Sequence, residues 1–307
     1  MDTDKRFRVL VNPTAHAGQA RRDLERSGLL RLPGVECVES NSAAHLRHLV
    51  REGQTADLDA LVIAGGDGTF ALALHALTDE QRVPLAILPI GSGNDFARHL
   101  GVPRLRDGIE VLQHGVARGI DLGRSEPGGR FGCVASVGLD EVGLRIIHSP
   151  RAPRSKALNI AAAVYGLYVY RPRAVRVQWE GGNFAGEIMF VAVANTRSYA
   201  GGFMVCPDAR LDDGLLDVCI LRRMSRLRLL WHFPRFLRGT HAVLPEVILA
   251  RSPWVRIEGV GEQLPVALDG ELPTIRTPVE VRCEPAAVRM LTPRITASMP
   301  EISCART

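Results

Sequence analysis

Residues 61–70 read LVIAGGDGTF, an apolar run that ends in glycines around a single carboxylate. That order suits phosphate chemistry. Glycines tolerate positive φ and let a second backbone come close. Their N–H groups can form a nest for phosphate oxygens, and a helix expected from Thr69 adds its positive end. Asp67 alone would repel phosphate. It fits if a magnesium ion lies between the two, or if it orients a group in transfer. The plain alternative is a tight strand-to-helix turn with a capping aspartate. Directly after an apolar strand, every residue of GGDGT fits phosphate contact.

Two further loops fall at equivalent places. VNPTAHAG (Val11–Gly18) ends an expected strand at Phe7–Val11, and LPIGSGND (Leu88–Asp95) ends one at Leu85–Pro89. Three polar or glycine-rich loops at three strand ends make one cleft, because open α/β sheets bind ligands at the carboxyl ends of their strands.

The elements that must carry these loops alternate through the first third. Strands are expected at Phe7–Val11, Val35–Val38, Leu61–Ala64 and Leu85–Pro89. Helices are expected at Gln19–Leu30, Ala43–Arg51, Thr69–Leu77 and from Asp95 to Leu100. Alternation of this kind implies parallel βαβ units with helices on both faces. After about Asp121 the pattern becomes strand-rich, with turns at Gly181-Gly182, Asp213-Gly214 and Asp269-Gly270. Expected strands are Phe131–Val137, Ala174–Trp179, Gly186–Ala194, Leu215–Leu221, Val247–Leu249, Trp254–Glu258, Pro265–Leu268 and Val279–Cys283. Helical stretches interrupt them near Lys156–Tyr170 and Ser225–Arg238. The fold class is therefore α/β plus β: an α/β domain over 1–124, completed by 285–295, a β-rich domain over 125–284 and a tail at 296–307.

The 307 residues are 46% hydrophobic and 23% charged, ordinary for a globular protein. The net charge of +5 permits an anionic partner without requiring one. The six cysteines show no C-x-x-C pair, so they read as reduced thiols of a cytosolic protein. No signal core opens the chain and no apolar run is long enough to span a bilayer. Membrane contact, if any, is expected to be peripheral. The histidines lack metal-ligand spacing, and no basic stretch carries a nucleic-acid motif. His16 reads as a solvated loop residue. LRRMSRLRLLWHFPRFLR (Leu221–Arg238) mixes arginines with Leu, Trp and Phe. It reads either as an anchor for an anionic lipid surface or as a basic helix packed on the β domain and broken by Pro234.

VNPTAHAG, GGDGTF and ILPIGSGNDFAR (Ile87–Arg98), followed by SVGLDEVG (Ser136–Gly143), YAGGFMVCPDARLDDGLLDV (Tyr199–Val218) and LDGE (Leu268–Glu271), resemble the diacylglycerol kinase catalytic family. That family includes sphingosine and ceramide kinases and bacterial lipid kinases. The resemblance covers almost the whole chain. GGDGT is shared with NAD kinases, whereas GSGNDFAR and PDARLDDGLLDV are far more specific.

The resemblance implies an α/β domain like that of NAD kinase and phosphofructokinase, a β-sandwich-like second domain and a cleft between them. It implies ATP and Mg²⁺ as cofactors and a lipid hydroxyl as acceptor. By the same resemblance Gly65, Gly66, Asp67, Gly68 and Thr69 hold the phosphates, with Asp67 also catalytic. Asn12 sits at the cleft floor, Ser92 and Asn94 add polar contacts, and Ser40 matches a nucleotide-contacting threonine. Glu271 is the general base by that resemblance; from the residues alone it reads rather as a surface glutamate after a hairpin turn. The Asp213 side chain with the backbone carbonyls of Arg210 and Leu215 matches a structural Mg²⁺ site, or forms a simple turn. The expected protein is a lipid kinase acting peripherally on membranes. The expected acceptor is diacylglycerol-like; the alternatives are a sphingoid or polyisoprenoid acceptor, an NAD kinase-like activity, or a non-catalytic nucleotide- or lipid-binding role, and the oligomeric state, a homodimer included, stays open.

Overall fold

A computed structural model describes residues 5–13, 15–79, 81–91, 93–147, 149, 161–162, 165–166, 168–271 and 274–294. The first part holds strands β1 (Phe7–Val11), β2 (Val35–Glu39), β3 (Ala60–Gly65) and β4 (Leu85–Pro89). They lie in the order β2-β1-β3-β4, all parallel. β3 and β4 are buried at every residue, which is why they read as unbroken apolar runs rather than as alternation. Helices α1 (Ala20–Arg26), α2 (Ala43–Gly53), α3 (Asp67–Leu74), α4 (Asp95–His99) and α5 (Leu105–His114) connect and cover them.

The second part is antiparallel and β-rich. Its strands are β5 (Val116–Glu126), β6 (Gly129–Phe131), β7 (Val134–Gly138), β8 (Arg173–Trp179), β9 (Gly182–Ala194), β10 (Leu216–Arg222), β11 (Val247–Ser252), β12 (Trp254–Gly259), β13 (Pro265–Leu268), β14 (Ile275–Arg276) and β15 (Val279–Thr292). Helix α6 (Asp140–Ile147) follows β7, and a helix spans Arg226–Arg238. Val175, Val177, Ile188, Val191, Val193, Val218, Val255, Ile257 and Val281 build the β-rich core.

Several elements differ from expectation. The stretch expected as one strand at Phe131–Val137 is split between β6 and β7, because Gly132 and Cys133 point their N–H groups at Asp269 instead of a neighbouring strand. β15 runs nine residues past its expected end at Cys283. It crosses a bulge between Glu284 and Val288, pairs along β5 on both sides of it, and meets β4 in parallel at Met290. One strand thus belongs to both parts.

Asp121 makes the bulge possible. Its buried carboxylate accepts from Ala286 N at 2.7 Å and Gly214 N at 2.7 Å. Ala286 has φ 50°, a conformation that costs a non-glycine residue energy and needs such a clasp.

Pro234 does not break the Arg226–Arg238 helix. The carbonyl that loses its donor belongs to Leu230, on the exposed side, where water can satisfy it. The expected helix at Lys156–Tyr170 and the expected tail at 296–307 lie mostly or wholly outside the described residues.

Candidate active site

The three loops meet as expected, and of the two uses expected of the glycines only close approach applies to Gly65, Gly66 and Gly68. None of Gly65, Gly66 and Gly68 has a positive φ. What forces glycine is close approach. A Cβ on Gly91 would lie 2.5 Å from Gly66 Cα, so the β3 and β4 loops touch backbone to backbone. Ile90 N donates to Gly65 O at 2.9 Å and Asn12 N to Ala64 O at 3.3 Å, which ties each outer loop to the central one. The Asn12 amide also donates to Thr69 Oγ at 2.9 Å.

α3 begins at Asp67, two residues before the expected start. Asp67 therefore sits on the first turn, where the unpaired N–H groups of a helix gather. The carboxylate is crowded. Burial, then the neighbouring charge of Asp95, pushes its pKa up to about 6, against backbone N–H groups of Phe96 and Asp95. Gly93 closes over it: a Cβ there would lie 2.5 Å from Asp67 Oδ2. One such carboxylate fits a magnesium ion carried on nucleotide phosphates, since Mg²⁺ typically takes one or two carboxylates plus phosphate oxygens, while the glycine N–H groups beside it suit the phosphates.

Asp95 is the residue the sequence reading left unassigned, although it stands inside GSGND. It is buried, ion-paired with Arg98, and accepts from Gly201 N at 2.6 Å. Gly201 belongs to the β-rich part. Asp95 therefore ties the nucleotide-side loops to the opposite wall of the cleft while raising the pKa of Asp67.

Glu271 enters from that opposite wall. Leu268–Glu271 forms a turn closed by Glu271 N to Leu268 O at 2.9 Å, with Asp269 at φ 50° and Gly270 at φ 75°. Two consecutive left-handed residues are the mark of a tight hairpin turn that needs stabilising. Asp269 supplies that. Its carboxylate accepts from Gly132 N at 2.7 Å, Cys133 N at 2.6 Å and Val134 N at 3.1 Å. Burial raises its pKa and these three amides oppose the rise. The result places Glu271 over the start of α3: a Cβ on Gly68 would lie 2.9 Å from Glu271 Oε1. His75, at the other end of α3, also feels Asp269 and Glu271; burial lowers its pKa nonetheless, which favours the neutral ring. Asp269→Ala should cost on the order of 3 kcal/mol, because three N–H donors lose a charged acceptor. Urea unfolding checks this, and an unchanged midpoint would refute it.

The other expected site residues are engaged locally. Asn94 has φ 56°, and its side chain brackets Gly91, accepting from Gly91 N at 3.0 Å and donating to Gly91 O at 2.8 Å. It shapes the loop. Ser40 is buried at the end of β2, and both its N–H and its hydroxyl donate to Val11 O, at 2.9 and 3.3 Å. Ser92 and the side chain of His16 lie outside the described residues. Arg210, Asp213 and Leu215 do share one loop, but the Asp213 carboxylate is ion-paired with Arg251 and accepts from Leu215 N at 3.1 Å. A guanidinium thus holds the charge that a cation would need. Among the described residues no group of three His, Cys, Asp or Glu side chains could hold a metal. A cation held by Asp213 and the carbonyls of this loop would have to displace the Arg251 guanidinium.

Comparison with known proteins gives the same two parts. Residues 6–125 match the model of the diacylglycerol kinase catalytic domain, and 133–292 match that of the YegS C-terminal NAD kinase beta sandwich-like domain. A protein of Mycobacterium tuberculosis named diacylglycerol kinase is 32% identical over 296 residues, covering 93% of this chain and 94% of its own. A Pseudomonas aeruginosa protein named "Probable lipid kinase YegS-like" is 34% identical over 257 residues, covering 80% and 81%. Among solved structures, a diacylglycerol kinase from Bacillus anthracis superposes with a TM-score of 0.72 at 20% identity, covering 94% of this chain and 97% of that one. At that identity the superposition speaks to the fold alone.

Proposed function

Because the chain belongs to the diacylglycerol kinase catalytic-domain family and is a lipid kinase, we propose that it transfers the γ-phosphate of ATP to the hydroxyl of a diacylglycerol-like lipid. One observation carries the reading. Glu271, from the β-rich part, reaches the first turn of α3, where Asp67 and the glycine loop sit. A base therefore faces a phosphate cradle across one cleft.

The roles follow from what phosphoryl transfer demands: in-line placement, charge neutralisation and acceptance of the hydroxyl proton. The N–H groups of 65–69 cradle phosphate oxygens, helped by the positive end of α3. The close glycine contact between the β3 and β4 loops keeps the cradle rigid, and Asn12 fixes Thr69 beneath it. Asp67 would hold the magnesium ion that arrives with the nucleotide; when bound, that ion neutralises charge on the transferring phosphoryl group. Glu271 accepts the proton of the lipid hydroxyl as the new O–P bond forms. The bond to the β-phosphate oxygen breaks, and ADP leaves.

Transfer of label from γ-³²P ATP to lipids in mixed micelles tests the reading. The panel holds diacylglycerol, a sphingoid base and a polyisoprenol, with NAD as a soluble control. Labelled diacylglycerol is expected. Label in another lipid would correct the acceptor, and label in NAD would overturn the lipid reading.

A further inference from the structure

The Arg226–Arg238 helix has two apolar stripes, and only one is used. Leu229, Phe233 and Phe236 lie on the core, spaced by four and three residues as one helix face requires. Phe236 stacks on Phe203 and on His241, and Met204 N donates to Phe236 O at 2.9 Å. The opposite stripe is Leu227, Leu230, Trp231 and Pro234, which together line a shallow apolar surface. Leu227 is 82% exposed and Trp231 81%. Large apolar side chains this open, grouped on one face, mark an interaction site.

The surroundings decide the partner. Arg226, Arg235 and Arg238 flank the stripe, and none of them pairs with a carboxylate among the described residues. Tyr168, 70% exposed, extends the patch with the Arg226 guanidinium 5.5 Å over its ring. Open Leu and Trp side chains amid arginines, with no carboxylate on the same stripe, complement a surface that is anionic outside and apolar beneath. A protein groove would instead need matched acceptors for fixed arginines.

The helix that carries the patch also packs, through its other face, against the cleft wall. The inner face of the helix packs on Phe203, which contacts Tyr199. The Tyr199–Phe203 turn contains Gly201, whose N–H is held by Asp95 beside Asp67.

We infer that the exposed face of the Arg226–Arg238 helix, with Tyr168, docks the enzyme on an anionic lipid bilayer, Leu227 and Trp231 entering the interface and Arg226, Arg235 and Arg238 meeting the headgroups. This rests on the lipid-kinase reading, because it names the surface from which that kinase takes its acceptor. The helix is unusual in kind: its arginines do not cover a solvated face but frame an apolar one.

Flotation with phosphatidylcholine vesicles, with and without phosphatidylglycerol, tests it. Wild-type protein should float with the anionic vesicles. Leu227→Ser with Trp231→Ser should weaken partitioning at least about tenfold, and each Arg→Gln change at 226, 235 and 238 about fivefold. All five side chains are exposed, so the fold is expected to survive, which circular dichroism checks. In parallel, phosphorylation of a monomeric short-chain diacylglycerol should stay within about twofold of wild type in these variants. Unchanged vesicle binding in the Ser variant would overturn the docking surface while leaving the kinase reading intact. Lost vesicle binding without any short-chain phosphorylation in the wild type would sustain the surface and sink the kinase reading. A solution dimer that the Ser variant dissociates, with vesicle binding unaltered, would assign the face to a second copy and refute the proposal.

Discussion

Glu271→Gln should lower turnover by about two to four orders of magnitude, the usual contribution of a positioned general base. The substitution keeps the shape of the side chain and removes only its ability to take a proton. Glu271 is exposed and its backbone alone closes the turn. Stability should therefore change by less than about 0.5 kcal/mol. ATP affinity should stay near that of wild type, since Glu271 stands on the acceptor side of the cleft. Steady-state kinetics with nucleotide titration separates these quantities. Turnover within a few-fold of wild type would remove Glu271 as the base. A parallel rise in the KM for ATP would place it on the nucleotide instead.

Asp67→Asn should have the opposite signature: a more stable protein that barely turns over. The folded-state pKa of Asp67 is raised, from 3.8 to about 6, by burial and by Asp95. Folding therefore favours the protonated form. Stability falls as pH rises from about 4 to about 6, and the full penalty stands above that window. Asn carries no charge, so at neutral pH it should gain about 1–3 kcal/mol over Asp. The gain should shrink to a small remainder by about pH 4, where Asp67 is protonated when folded and only partly protonated when unfolded. Urea unfolding at pH 7.5 and pH 4 reads both ends.

Turnover should drop at least about a hundredfold, as for loss of one preorganised electrostatic contact. The loss should appear in use of Mg²⁺ and ATP more than in the KM for lipid. Wild-type turnover should also decline as pH falls through about 6 in the nucleotide-free limit, seen in kcat/KM. A variant that is both inactive and less stable would contradict the account of Asp67 as a strained functional carboxylate.

The parts of the fold that sequence conveyed were those governed by local rules. β3 and β4 are short apolar runs because both of their faces are buried, and the loops after β1, β3 and β4 follow from their glycine and polar residues. Helix α5 was not seen, since Gly108 and the charges of Arg106, Asp107 and Glu110 interrupt its apolar rhythm. Packing explains Gly108: a Cβ there would lie 2.8 Å from Ile87 O, so the helix must come close to β4. α6 was likewise hidden inside the SVGLDEVG motif, and the second half of β15 behind Pro285.

Among site residues, the same division holds. GGDGT marked a glycine-rich strand-to-helix turn through the character of its residues, and LDGE marked a tight turn through Asp269-Gly270. Of the two reasons a glycine can be needed there, close approach and not a left-handed φ applies to Gly65, Gly66 and Gly68, and that depends on what lies across the gap. Asp95, Asp121 and Asp269 do their work by accepting N–H groups 106, 165 and 137 residues away. No window of sequence contains both ends of such a bond. Arg251 reaches Asp213 in the same way, across 38 residues.

By itself, then, the sequence determined the α/β and β-rich parts, the glycine-rich loop at the end of β3 and the family to which the motifs point. These depend on periodicity, turn chemistry and residue type, which act over a few residues. Only the tertiary structure decided that Glu271 meets the first turn of α3 at Gly68, that Asp95 raises the pKa of Asp67 while binding the far wall, and that Trp231 points to solvent. Each of these is set by which distant backbone or side chain fills the neighbouring space, and by the solvent that packing there excludes or leaves.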